Sequence, residues 1–247
     1  MRAASSAVSL VLLTGLVGFP VASNPTGQNQ TVEVLTTTDL SFIDCVESAP
    51  RARVVRSASL VPPDRRYRAY AEVETRMIGE TTKGTELAEC ANRSRLFIGN
   101  SSSRVLPQVY EEEPTYWMRG NGLRLVDWSA DSRYLLVELW RWQYYSDTIG
   151  TWILVYDREK DLLLSPDLNK LFSRMHQREC WLNIKLLGFA SDNRVAFEAE
   201  DDMMIGSTCL EKKSRWLLEP VGGYLMPIPE EYKLSTYGKL EQSPHKK

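Results

Sequence analysis

One short block is written three times in this chain. Val61-Pro62-Pro63-Asp64-Arg65-Arg66, Trp128-Ser129-Ala130-Asp131-Ser132-Arg133 and Phe189-Ala190-Ser191-Asp192-Asn193-Arg194 share a plan. A large apolar residue comes first, then two small or turn residues, then Asp-x-Arg. An apolar run follows every copy: Tyr67 to Val73, Tyr134 to Trp142, Val195 to Ala199. The three Asp residues stand 67 and 61 positions apart. Recurrence at such a spacing marks a repeat architecture, in which a unit buries its apolar face only by stacking on a neighbour.

The strands around each block repeat as well. Leu123-Arg124-Leu125-Val126 and Ile184-Lys185-Leu186-Leu187 enter the second and third turns, and the apolar runs leave them. A third strand follows in each unit: Arg95 to Ile98, Trp152 to Tyr156, Arg215 to Leu218. A short fourth one is expected at Arg104-Val105-Leu106, Leu162-Leu163-Leu164 and Tyr224-Leu225-Met226, with Glu111 to Pro114 as a linker. Turn chemistry separates these β-branched, aromatic or leucine-rich stretches. The chain therefore reads as all-β: antiparallel four-stranded meanders repeated about three times. The units run over about 44–114, 120–166 and 180–229 inside a domain of 44–232. Thr31 to Ile43 adds one further strand. The Asp of each turn (Asp64, Asp131, Asp192) is expected to accept a backbone N–H two residues on, and its partner (Arg66, Arg133, Arg194) to pair with that carboxylate or a nearby carbonyl. One helix is expected after Leu164, capped by Ser165 with Pro166 in its first turn and Asp167 at its positive end. Its apolar stripe is Leu168, Leu171, Phe172 and Met175.

The stretch Asp127-Trp128-Ser129-Ala130-Asp131-Ser132-Arg133-Tyr134-Leu135-Leu136-Val137 resembles the repeats of TolB-type and prolyl-oligopeptidase-type β-propellers, in which Trp-Ser-Pro-Asp-Gly-Lys precedes an apolar strand. Ala130 stands where Pro is usual and Ser132 where Gly is usual. The resemblance covers about residues 53 to 229 and implies a propeller-like architecture, not an activity. Propellers close with about 4–8 blades, and three units leave an incomplete or open ring. Three resolutions are open: a homodimer completing one six-bladed ring, capping by the N-terminal strand and the helix, or a disulfide-held partial propeller whose open face binds a partner.

Residues 1–23 read as a signal peptide: Arg2, an apolar run from Ala7 to Phe19, and small residues at Val21-Ala22-Ser23. Asn24 to Gln30 is polar, and 233–247 is a polar tail. No later stretch has the ~20 apolar residues of a spanning helix. The expected location is periplasmic or secreted. A net charge of −2 lacks the basic footprint that nucleic acid requires. Six arginines from Arg51 to Arg68 read as a solvated strand face or an acidic-partner surface. Four cysteines in an exported chain imply two disulfides. Cys45 and Cys90 flank the first hairpin, and Cys180 and Cys209 flank the third, so equivalence of the repeats selects Cys45–Cys90 and Cys180–Cys209. No CxxC occurs, which argues against zinc, and no cofactor or metal is expected.

No constellation of residues names a reaction. His176 is the only His in the repeat region, Gly-x-Ser-x-Gly is absent, and so are phosphate-binding loops. The run Glu198, Glu200, Asp201, Asp202 with Met203-Met204 reads as a hairpin tip or as oxygen ligands for Ca²⁺. The candidate binding residues are Trp140, Arg141, Trp142 and Tyr144. Strand alternation puts Trp140, Trp142 and Tyr144 on one face, either as a platform for a glycan or a protein partner or as packing between blades. Sequons stand at Asn29, Asn92 and Asn100, and Asn92 and Asn100, flanking a strand of the first unit, are expected on the surface. The expected function is a non-enzymatic binding or scaffold protein, with a carbohydrate-binding module and a hydrolase as alternatives.

Overall fold

The computed structural model describes residues 32–45, 52–78, 89–144, 149–202, 206, 208–228, 232 and 234–241. The signal-peptide segment, Asn24 to Gln30, Arg51, Met203-Met204 and the last six residues with His245 lie outside them. The strands are β1 (Val32–Val34), β2 (Asp39–Leu40), β3 (Arg53–Arg56), β4 (Leu60–Val61), β5 (Tyr67–Ile78), β6 (Glu89–Asn100), β7 (Gln108–Glu112) and β8 (Gly120–Trp128). They continue as β9 (Tyr134–Trp142), β10 (Ile149–Asp157), β11 (Leu162–Leu164), β12 (Leu182–Phe189), β13 (Val195–Asp201), β14 (Ser214–Leu218), β15 (Leu225–Ile228) and β16 (Lys239–Leu240). Helix α1 (Leu168–His176) separates β11 from β12. The fold is all-β and open: three antiparallel meanders stacked like propeller blades.

The first blade is β3/β4–β5–β6–β7, the second β8–β9–β10–β11 and the third β12–β13–β14–β15. Leu96 and Ile98 of the first meet Leu123, Leu125 and Trp128 of the second in one core. Leu136 and Val155 of the second meet Leu186, Phe189 and Phe197 of the third in another, which also takes Phe172 of α1. The apolar residue heading the second and third blocks is the wedge. Trp128 and Phe189 are fully buried against the preceding blade, and Trp128 Nε1 donates to Leu60 O at 3.1 Å.

The three turns share one conformation. Arg65, Ser132 and Asn193 all hold left-handed backbone, with φ of 55°, 65° and 66°. In each, the Asp accepts the N–H of the Arg two residues on, at 3.0, 3.0 and 3.3 Å. The arginines diverge. Arg194 pairs with its own Asp192, whereas Arg133 makes a two-pronged bond to Asp157 on β10 at 3.0 and 2.8 Å. Asp64 takes Arg158 of the second blade at 2.8 Å.

The N-terminal segment forms two strands rather than one. β1 runs parallel to β3, and β2 runs antiparallel to β8. β16 returns from the end of the chain to pair with β4. The ends of the stack are covered from within. The far face of the first blade carries the pairs Arg56–Glu72 and Arg95–Glu74 and the stacked rings of Tyr70 and Phe97. On the third, Ile228, Tyr232 and Leu234 lie over Ala190, Ala196 and Leu217.

Two expectations about local structure are corrected. The fourth strand of the first unit is not Arg104-Val105-Leu106 but β7, so Glu111 and Glu112 are strand and not linker. Pro107 packs over Gly99, and its O accepts Ile98 N–H, so the turn extends past Leu106. The acids of β7 are held by arginines, Glu111 by Arg95 and Glu112 by Arg141, and this pairing is invisible to hydropathy. The helix is capped by Asp167, not Ser165: its Oδ1 accepts Lys170 N–H at 3.0 Å. Leu168 and Phe172 are buried, but Met175 is exposed, so the stripe is shorter than its spacing implied.

Candidate binding cleft

The second and third blades part on either side of Trp140. A cleft of about 950 Å³ runs from Ile149 and Trp140 past the first turn of α1 to Trp181, Leu182 and Ile184. A second of about 640 Å³ is bounded by β2 and Phe42 on one side and by Ile184 and Lys185 on the other. Trp140 and Ile184 line both.

Two glycines build this wall. A side chain at Gly120 would stand 2.1 Å from the Trp142 ring, and one at Gly122 would stand 2.2 Å from Leu40 O. Gly120-Asn121-Gly122 thus lets Trp142 and the β2 backbone lie flat on β8. Phe42 follows β2 and packs on Trp140 and Trp142, with ring centroids 5.2 and 4.9 Å away, while remaining half exposed. Beneath Trp140 lies Glu138, whose side chain is 1 % exposed. One of its oxygens accepts both Arg124 Nε at 2.7 Å and Trp140 Nε1 at 2.9 Å. Burying this carboxylate is tolerable because the charge is paired and bonded.

The candidate residues separate. Trp140 and Trp142 lie on the expected common face, and Tyr144 continues it, its ring centroid 5.9 Å from that of Trp142. Trp140 faces the cleft, Trp142 is buried, and Tyr144 donates its hydroxyl to Asn92 Oδ1 at 3.1 Å. Arg141 points the other way. It makes a two-pronged bond to Glu112 of the first blade at 2.7 and 3.0 Å and lies over the Trp152 ring at 4.5 Å. Burial raises the pKa of Tyr110, and its bond to Glu112 adds to the rise. Phe42, Trp181, Ile184 and Lys185 complete the cleft without having been singled out in the sequence. Lys185 and Ile184 had a signal: they are the repeat equivalents of Arg124 and Leu123.

Other candidates resolve into structure. Both disulfides form, Cys45–Cys90 and Cys180–Cys209, as repeat equivalence selected. They indicate a non-reducing environment. Among the described residues no helix is long and apolar enough to cross a membrane. Asn92 is a correction: it is fully buried in β6, where its side-chain amide donates to Ile43 O and Asn121 O. A sequon there was read as surface because strand polarity says nothing about which blade covers it. Asn100 is exposed. His176 stacks on Phe172 at the end of α1. Glu198 pairs with Lys213 and Arg215, which holds its carboxyl below the usual range, Lys213 first. Asp201 accepts the N–H groups of Cys209 and Leu210. Of the crowded arginines, Arg53, Arg56 and Arg68 pair with Glu33, Glu72 and Glu241.

No protein-family model matches the chain, and the search of curated proteins found no match.

Proposed function

We propose that this chain is an exported binding or scaffold module, periplasmic or secreted, that holds its ligand in the cleft between the second and third blades. One observation carries the reading: Phe42, just past β2, and Trp140 on β9 present a joined apolar surface at the meeting point of two cavities. Rings set this way serve as contact anchors at little entropic cost. The disulfides support an extracytoplasmic site of action. The left-handed Ser132, at the position where TolB-type repeats carry Gly, supports the likeness to those repeats at the level of fold alone.

The experiment is affinity capture from the native compartment with wild-type chain and with Trp140→Ala and Phe42→Ala variants that melt normally. A partner lost with both substitutions fits the reading, and an undiminished partner set overturns it. A glycan ligand is the second reading, favoured by the half-exposed rings of Phe42 and Trp181. Binding on a glycan array that disappears with Trp140→Ala selects it. Pairing of two chains into one six-bladed ring is a further assembly the open arc permits, and sedimentation would register it as a doubled mass.

A further inference from the structure

The inner edges of the first two blades are filled. β1 lies along β3, β16 along β4 and β2 along β8. β12, the inner strand of the third blade, pairs only with β13 among the described residues. The repeat shows what is missing there. Leu123, Arg124 and Leu125 correspond to Ile184, Lys185 and Leu186, and a bulge follows each set, at Leu125/Asp127 and at Leu186/Gly188. On β8, Leu40 stands opposite Leu123, Asp39 opposite Arg124, and Leu125 N–H donates to Thr38 O at 3.0 Å. On β12 the equivalent edge faces the 640 Å³ cleft.

The slot has pegs at both ends. Leu182 N–H is taken by Asn169 Oδ1 of α1 at 3.1 Å, and at the other end the Asp127 carboxylate crowds Gly188, where a Cβ would stand 3.1 Å from its Oδ2. Between them no other strand pairs with this edge of β12 among the described residues.

We infer that β12 receives an extended peptide strand from a partner protein, bound by strand addition, with an apolar residue beside Ile184 and an acidic residue beside Lys185. The inference rests on the reading of the chain as a binding module and names the chemistry of its partner. Main-chain bonds to the edge supply affinity, and alternate side chains supply selectivity. The apolar side chain of the incoming strand enters the notch formed by Ile184, Trp140 and Phe42. The acid takes the register position opposite Lys185 that Asp39 takes opposite Arg124, where opposite charges across a strand pair attract. A cavity of this size is in the range of ligand sites, about 300–1,000 Å³.

The probe is a capped peptide with the sequence of residues 37–42, Thr37-Thr38-Asp39-Leu40-Ser41-Phe42, which fills the equivalent edge in the second blade. It is titrated into the full disulfide-bonded chain while amide exchange is followed by NMR. Saturable binding should slow exchange at Ile184 and Leu186. N-methylation of the peptide amides that face β12 should weaken it about tenfold, and methylation of the alternate set should not. Lys185→Glu should weaken the parent peptide and favour one carrying Asp39→Lys. Several results overturn the inference. No binding does so, as does protection confined to Leu123–Leu125, which means the peptide has displaced β2. Edge amides already protected in a species of doubled mass show that a second copy occupies the slot. Binding that depends on Trp140 but ignores N-methylation removes strand addition and leaves the binding-module reading intact.

Discussion

The hydroxyl of Ser132 accepts the backbone N–H of Asp64 at 3.1 Å, bonding the turn of the second repeat to that of the first. Asn193 does the same one repeat later: its Oδ1 accepts Asp131 N–H at 3.3 Å, and its Nδ2 donates to Asp131 Oδ2 at 2.9 Å. In the second and third copies the residue between Asp and Arg therefore has two duties. It takes a left-handed backbone, which glycine does most easily, and it reaches the neighbouring turn, which glycine cannot do. Asn193→Gly keeps the first and loses the second, for a net loss of about 1 kcal/mol. Asn193→Ala loses both, about 2 kcal/mol. Urea unfolding should rank wild type above Asn193→Gly above Asn193→Ala. If Asn193→Gly matched or exceeded wild type, the turn-to-turn bonds would contribute nothing.

Asp127 occupies a similar crossing point. Buried in β8, it accepts N–H groups from Trp128, Tyr237 and Gly238 at 2.9, 3.1 and 2.6 Å. It thus clasps the chain just before β16 pairs with β4. Removing the carboxylate leaves several buried donors without an acceptor, and Asp127→Ala should cost about 3 kcal/mol. The loss should be local as well as global, with amide exchange in Lys239 and Leu240 accelerating more than in β9. Unchanged protection of β16 in this variant would show that strand pairing alone holds the end of the chain.

The spacing of the repeated block made the blades, their turns and both disulfides legible in advance, because each depends on contacts within a unit or between equivalent positions. What escaped was set between units. β7 looked like a charged linker, since its Glu112 is neutralised by Arg141 from another blade. Arg141 looked like a binding residue for the same reason, its partner being 29 positions away. Trp142 was weighed as a platform, and it is packed over Gly120. Phe42 went unnoticed in a polar stretch because its role depends on β2 crossing to the second blade. Local pattern reports which residues alternate. It does not report what the neighbouring blade presents to them.

The pH dependence of stability should divide between two kinds of carboxyl. The two-pronged bond from Arg133 holds Asp157 below the usual carboxylate range, against the opposing pull of burial. A group depressed in the folded state stabilises fully above its unfolded value, about 3.9, and loses that contribution as pH falls through the folded one. Asp127 has the opposite sign. Burial pushes it up despite its backbone donors, so ionisation disfavours the fold and this penalty fades as pH drops through its raised value. Wild type should therefore exceed Asp157→Asn in urea midpoint by a constant margin near neutrality, with the margin closing below about pH 4. Asp127→Asn should instead flatten any gain seen on mild acidification. A margin for Asp157→Asn that stays constant to the lowest pH would show that its carboxylate is not titrating against Arg133.

Asn92 ties three segments at the seam of the first two blades. Its amide donates to Ile43 O at 2.8 Å and Asn121 O at 3.2 Å, and its Oδ1 accepts the Tyr144 hydroxyl at 3.1 Å. Asn121 returns the contact by donating to Asn92 O at 2.7 Å. The disulfide partner Cys90 lies two residues away on β6, so the seam joins the N-terminal segment covalently and by hydrogen bonds at one place. A glycan on Asn92 cannot coexist with this packing, whereas Asn100 is exposed. Expression in a glycosylating host should give modification at Asn100 and none at Asn92 in the folded product, read by peptide mass. Asn92→Ala strands two carbonyls and a tyrosine hydroxyl and should cost about 3 kcal/mol. Tyr144→Phe should cost about 1 kcal/mol alone and little more in the Asn92→Ala background, because the partner of the hydroxyl is already gone. Full additivity of the two would mean that the Tyr144–Asn92 bond does not form.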